Sequence, residues 1–122
     1  MKIHLTRDSV CAGDDVDAPH ARTMSFADEA PLDSVIAEIS RSGYLASIVG
    51  GKAAWSAVAG HPIAVLAQQW SQPRFLSIQA ANLSLLKGAD GVARLHFRYH
   101  LQEDPNAVFA TLTGQHVAGR VA

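Results

Sequence analysis

The chain is short of the features that most often give a protein away. It has a single cysteine, Cys11, among 122 residues. An intramolecular disulfide and a thiolate-rich zinc site each need two or more, so both are excluded. Charged residues make up 17%, aromatic residues 7%, and the formal net charge is −1. That balance gives no general pull toward nucleic acid or an anionic membrane, so any such binding has to come from a local patch. No apolar run approaches the ~18 residues of a membrane span, and the opening M-K-I-H-L-T-R-D lacks the apolar core of a signal peptide. The expectation is a reduced, soluble, cytoplasmic protein without a membrane segment.

The common catalytic patterns are missing too. There is no G-x-S-x-G elbow, H-E-x-x-H helix, dinucleotide-binding glycine fingerprint or zinc-finger spacing. Gly50-Gly51-Lys52 is not a P-loop, because the glycines precede an expected strand rather than a helix. No motif asks for a cofactor, and none assigns a catalytic residue.

What is present reads as one α+β domain over residues 1–122. Hydrophobic residues make up 48%, and a chain of this length buries over ~60% of its unfolded surface, enough for one core. Lys2–Arg7 alternates with Ile3 and Leu5 on one side, and Arg22–Phe26 with Met24 and Phe26 inward, predicting a first hairpin. Leu32, Val35, Ile36 and Ile39 follow helical spacing, with Pro31 at the expected first position, Asp33 in the first turn and Gly43 as the stop. Ala53–Ala59 and Ile63–Trp70 flank Gly60-His61, a two-residue connection, with Trp55 and Trp70 near the far ends. Arg74–Ile78 reads as a short strand. Asn82–Lys87 and Val92–Leu101 read as a hairpin across Gly88–Gly91, where a bulge would set Leu83 opposite Leu95. Asp104 and Pro105 open a short helix carrying Val108, Phe109 and Leu112 and stopped by Gly114, with residues 115–122 as a frayed tail.

An antiparallel or mixed sheet with one main helix across it, plus a C-terminal hairpin and short helix, satisfies these elements. The order of the first seventy or so residues, ββαββ, resembles a β-grasp (ubiquitin-like) arrangement. The resemblance implies a fold only, because many functions share one architecture.

The first candidate site is the long connection Asp8–His20. It gathers Asp8, Asp14, Asp15 and Asp17 with Cys11 and His20, and connections of that length in compact domains are often functional. Asp15, Asp17 and His20 are the ligands a divalent ion would use, although the D-x-D-x-D-G calcium series is absent. The plainer reading of the same aspartates is turns that cap backbone amides. Cys11 with His20 or His4 would need a thiol pKa lowered by a nearby cation, and its neighbours in sequence are acidic.

The second candidate is the strand Val92–Leu101. Alternation puts Arg94, His96, Arg98 and His100 on one face, with same-face side chains ~6.8 Å apart. The histidines would strengthen this rib as pH falls toward ~6. It suits phosphates, an acidic protein or a small anion, or it is a solvated face answered by acids on a neighbouring strand. Its aromatic residues alternate to the other side and cannot stack bases beside the arginines, which argues against nucleic acid. The third candidate is Q-Q-W-S-Q-P-R, where Trp70 sits between glutamines and Arg74.

Two functions from different classes follow. One is a non-enzymatic protein-binding domain using Asp14, Asp15, Asp17, Arg94, His96, Arg98 and Trp70, with strand addition at an exposed edge as a route to a homodimer. In length, autonomy and lack of catalytic motifs the chain resembles small bacterial immunity proteins of contact-dependent growth-inhibition toxin systems. That resemblance implies a toxin domain as partner, with Asp14, Asp15 and Asp17 imitating phosphates toward a basic nuclease site. The alternative is a small metal-dependent or hydrolytic enzyme using the Asp8–His20 connection.

Overall fold

The computed structural model describes residues 1–10, 18–45, 53–76, 86–100 and 103–121, from 115 onward as backbone only. Its elements are β1 (Lys2–Arg7), β2 (Arg22–Ser25), α1 (Leu32–Arg41), β3 (Ala54–Val58), β4 (Pro62–Ala67), β5 (Arg74–Phe75), β6 (Ala93–His100) and α2 (Pro105–Val121). The class is α+β. Six strands form one mixed sheet in the order β2-β1-β6-β3-β4-β5.

The strand with the most strictly alternating burial sits in the middle. Ala93, Leu95 and Phe97 of β6 are fully buried, as a central strand requires when one face carries the core. β6 runs parallel to β1, with Leu5 beside Leu95, and antiparallel to β3, with Ala57 beside Phe97. The hairpins β1–β2 and β3–β4 are therefore not neighbours. The first seventy residues do not close a sheet by themselves; a strand from the C-terminal part joins the two halves.

On one face of the sheet α1 lays down Leu32, Val35, Ile36 and Ile39, all buried, against Ile3, Leu5, Trp55, Leu66, Leu95 and Phe97. Each such side chain contributes roughly 1.5–3 kcal/mol by leaving water. Pro31 is the N-cap rather than the first helical residue, because its ψ of 137° is extended. At the other end the Ser42 amide donates to the carbonyls of Glu38 and Ile39, and Gly43 turns the chain at φ +80°. That left-handed turn folds Tyr44 back onto the core edge-on to Phe97, with ring centroids 6.2 Å apart.

Several expected boundaries move. The β3–β4 connection takes three residues, Ala59 to His61, because the register slips between Ala57 and Val58 and Pro62 pairs directly with Val58. Trp55 is buried, its ring 5.0 Å from that of Tyr99, whereas Trp70 lies past the end of β4 and is half-exposed. The strand expected over 74–78 is described only as Arg74–Phe75, with 77 and 78 outside the described residues. Of the expected 82–87 strand, Lys87 forms an isolated antiparallel bridge with Ala93, and positions 82–85, Leu83 among them, lie outside the described residues.

The C-terminal helix is the largest departure. It runs 17 residues, straight through Gly114. A glycine inside a helix costs ~1 kcal/mol relative to alanine, which weakens a helix without ending it. This helix packs on the second face of the sheet, against β3 and β4. There Val108 is buried, as are Ala54, Ser56 and Val65, whose side chains alternate away from the α1 side.

Candidate functional site

The second helix covers only the β3–β4 half of its face. Over β2, β1 and β6, among the described residues, alternation fills the same face with polar side chains: Thr23, Lys2, His4, Thr6 and the rib of β6. The ladder pairs His4 with Arg94 and Thr6 with His96, so the rib lies beside a second polar row. Lys2, His4, Arg94 and Arg98 are exposed; His96 and His100 are half-buried.

Most of the rib is paired. Arg94 reaches back to the preceding turn, where its Nη2 lies 2.7 Å from Asp90 Oδ2. Asp90 also accepts the Val92 amide, and the Arg94 guanidinium with that amide holds its carboxyl down at about 2. The His96 Nε2 sits 2.9 Å from Asp8 Oδ1, and its Nδ1 lies 2.7 Å from Thr6 Oγ1. A carboxylate only accepts, so Nε2 donates to Asp8, while the threonine hydroxyl can pair with Nδ1 as donor or acceptor. The second Asp8 oxygen takes the Tyr99 amide at 2.9 Å. Arg98 has no side-chain hydrogen bond or ion pair among the described residues. The charges of the rib are thus answered locally, from the turn before β6 and the residue after β1, and Arg98 is the exception.

At the far end of the rib, His100 sits between a hydroxyl and a carboxylate. Its Nε2 lies 2.9 Å from Ser56 Oγ and its Nδ1 3.3 Å from Glu103 Oε2. That is the order of a nucleophile, a base and an orienting acid. Access decides against chemistry: Ser56 is 1% exposed and its strand is covered by α2. The arrangement satisfies a buried serine. Burial lowers the pKa of His100, outweighing the attraction of Glu103.

A pocket opens where β1, β2 and the end of α1 meet, at the base of the Asp8–His20 connection. It is an open depression of about 430 Å³ lined by Arg7, His20, Ala21, Arg22, Gly43 and Tyr44. Both guanidiniums lie against the Tyr44 ring, with Cζ 5.9 Å (Arg7) and 5.4 Å (Arg22) from its centroid. Such cation–π contacts hold the arginines in place. Arg7 also donates from Nε to the Tyr44 carbonyl (3.1 Å) and from Nη1 to the Asp8 carbonyl (3.0 Å). The Tyr44 hydroxyl donates to the His20 carbonyl at 2.6 Å. Burial raises the pKa of this phenol against the pull of the two arginines. His20 stands at φ +59° and its Nε2 is 3.0 Å from Ser9 Oγ.

Of the residues expected to act that are described, Arg94, His96 and Arg98 share one face of β6 and Trp70 lies past the end of β4. Cys11, Asp14, Asp15 and Asp17 lie outside the described residues. Among the described residues no group of three or more His, Cys, Asp or Glu side chains is placed to hold a metal. Asp8 is fastened to β6. Trp70 lies under Arg74, whose Cζ is 4.0 Å from its ring centroid and whose Nη1 donates to Asn106 Oδ1 at 2.9 Å, tying β5 to α2. The pocket arginines were not singled out from sequence. A signal existed for Arg22: with Met24 inward on a strand, position 22 faces inward as well, where a cation is unusual.

The chain matches no family model, no curated protein and no solved structure. No helix among the described residues is long and apolar enough to cross a membrane, which says nothing of β-barrel spans.

Proposed function

We propose that the chain is a non-enzymatic protein-binding domain that docks an acidic protein through the open half of its sheet. The observation that carries this reading is the exposed face itself. It lies on a six-stranded sheet beside the part that α2 covers, and bears Lys2, Arg94 and Arg98 with Asp8 and Asp90 as the acids that answer them among the described residues. Charges of one sign across such a face select the partner and speed encounter.

The test is native mass spectrometry of the protein purified from its own host. The expected result is a co-purifying acidic protein in simple stoichiometry, lost in the Lys2→Glu/Arg98→Glu variant and kept in Arg41→Glu, a charge reversal on α1. Neither Lys2 nor Arg98 makes a side-chain hydrogen bond among the described residues, so the double variant keeps its fold. A complex indifferent to both reversals sinks the reading.

Its narrower form is an immunity protein that blocks a cognate toxin. Sequence alone supports this: three aspartates within four positions of a long connection, in a chain of the right size. Such a partner would be basic, so the two surfaces choose partners of opposite charge. Loss of affinity on changing Asp14, Asp15 and Asp17 to alanine, with Arg98→Glu harmless, would favour the toxin.

The β-grasp arrangement also belongs here as a reading. It is supported by the C-terminal strand inserted between the two hairpins, parallel to β1, with α1 crossing one face. Among the described residues both sheet edges are short, four residues in β2 and two in β5, so there a second copy would find little ladder to extend. A mass of twice the chain in the same experiment reads out a homodimer.

A further inference from the structure

We infer that Asp90–Gly91, in the turn that feeds the central strand, is a latent site of backbone isomerisation to isoaspartate, and that Arg94 holds it closed. An aspartate followed by glycine favours this chemistry, because glycine has no side chain to hinder its amide nitrogen. The Gly91 nitrogen attacks Cγ of Asp90. A carboxyl oxygen then leaves as water, taking the carboxyl proton and the amide proton, and a five-membered succinimide remains. Water adds to one of the two ring carbonyls. Opening at the side-chain carbonyl restores aspartate. Opening at the main-chain carbonyl leaves the chain running through the β-carboxyl, one methylene longer and with no change of mass.

The turn restrains both reacting groups. The nucleophile is occupied, because the Gly91 amide donates to the Gly88 carbonyl at 2.9 Å. The electrophile is held by three donors: the Val92 amide at 3.1 Å and Arg94 Nη1 and Nη2 at 3.2 and 2.7 Å. A two-pronged guanidinium contact fixes the plane of the carboxylate and favours the ionised form. That form lacks the proton its oxygen needs to depart as water. With its carboxyl held down at about 2, Asp90 offers little of the reactive acid at neutral pH. The closure is nevertheless local and reversible: the Asp90 side chain is 51% exposed and that of Arg94 60%, so water reaches the carbonyls that ring opening requires. Gly88 belongs to the same arrangement, since a Cβ there would lie 3.3 Å from Asp90 Oδ1. Isomerisation would displace the carboxylate from Arg94 and lengthen the turn before β6, and its effect would appear on the sheet face where Arg94 stands. This chemistry is independent of what docks there.

The experiment is a long incubation of the whole folded chain at about pH 6, above the ordinary carboxyl range, beside the same chain in guanidinium. Tryptic peptides separated by chromatography and fragmented by electron transfer report isoaspartate at position 90. Asp33–Ser34, an exposed pair on α1, is the reference within each sample. The folded chain should form isoaspartate at position 90 at least about tenfold more slowly than the denatured chain. Arg94→Gln removes the charge and the fork but leaves the backbone donors. A carboxyl released from about 2 to its ordinary ~3.9 has up to about eightyfold more acid form. The Val92 amide keeps part of that restraint, so the folded Arg94→Gln rate should rise about tenfold. Arg94→Lys, a point charge without the fork, should fall between the two, and Arg98→Gln should match wild type. A rise at Asp90 with Asp33 unchanged identifies local release rather than unfolding as the cause. Wild type reacting as fast as the denatured chain, Arg94→Gln no faster than wild type, or an equal rise at Asp33 overturns the inference.

Discussion

Asp8 and His96 are 88 residues apart in sequence and meet at 2.9 Å, carboxylate to imidazole, across the junction of β1 and β6. With its other oxygen on the Tyr99 amide, Asp8 ties the first strand to the strand that completes the sheet. Parallel pairing leaves no turn to hold such a register, so side-chain ties of this kind matter where the two strands meet.

Removing that tie should cost stability without altering the fold. Asp8→Ala is expected to lose about 1–2 kcal/mol, the lower part of the range for a hydrogen-bonded charge because the site is half-exposed. Asp8→Asn keeps the shape and should lose about half as much. Urea unfolding gives both values, and an Asp8→Ala midpoint equal to wild type would show that the pair contributes nothing.

His100 predicts a pH dependence. Its folded pKa lies below the ordinary 6.5, chiefly through burial. The unfolded chain therefore binds a proton more readily than the folded one. Stability contributed by this group is present above 6.5 and is lost as pH falls below it. His100→Gln cannot take up the proton, so its urea midpoint should fall less than wild type between about pH 7.5 and pH 5.5. Parallel curves for the two proteins would show that His100 is not a source of acid sensitivity.

Two glycines should respond in opposite directions to the same substitution. An added Cβ at Gly43 or at Gly114 meets nothing within 4 Å, so neither change creates a clash. Gly43 stands at φ +80°, where a side chain costs ~1–2 kcal/mol, and Gly43→Ala should destabilise. Gly114 lies inside α2, where alanine gains roughly 0.5–1 kcal/mol. Thermal unfolding of the two variants checks both. A destabilised Gly114→Ala would mean that the helix stops there after all.

Legibility followed the range of the interactions. The core face of α1 could be read from Leu32, Val35, Ile36 and Ile39, and the two faces of β6 from strict alternation at Leu95 and Phe97, because each pattern is set within a few residues. The Arg94–Asp90 pair is equally local, four residues apart, yet the acid expected to answer the rib was one on a neighbouring strand. The partner of His96 was not, and neither was the pocket. Arg7, Arg22 and Tyr44 come together only when β1 pairs with β2 and the chain turns at Gly43. The helix through Gly114 was misread for another reason: a glycine signals a stop only when its φ is left-handed, and sequence does not report φ.

Sequence by itself determined the core face of α1, the inward and outward sides of β1 and β6, and a class of small α+β domain without an intramolecular disulfide or a thiolate-rich zinc site. Periodicities of 2 and 3.6 are consequences of backbone geometry, and they act over one element at a time. Tertiary structure alone decided that β6 joins the two hairpins, that α2 shields Ser56 but leaves Arg98 open, and that two arginines share one tyrosine ring. Those outcomes depend on burying apolar faces against one another across the whole chain, and burial is non-directional, so many pairings satisfy the same pattern until all strands are placed together.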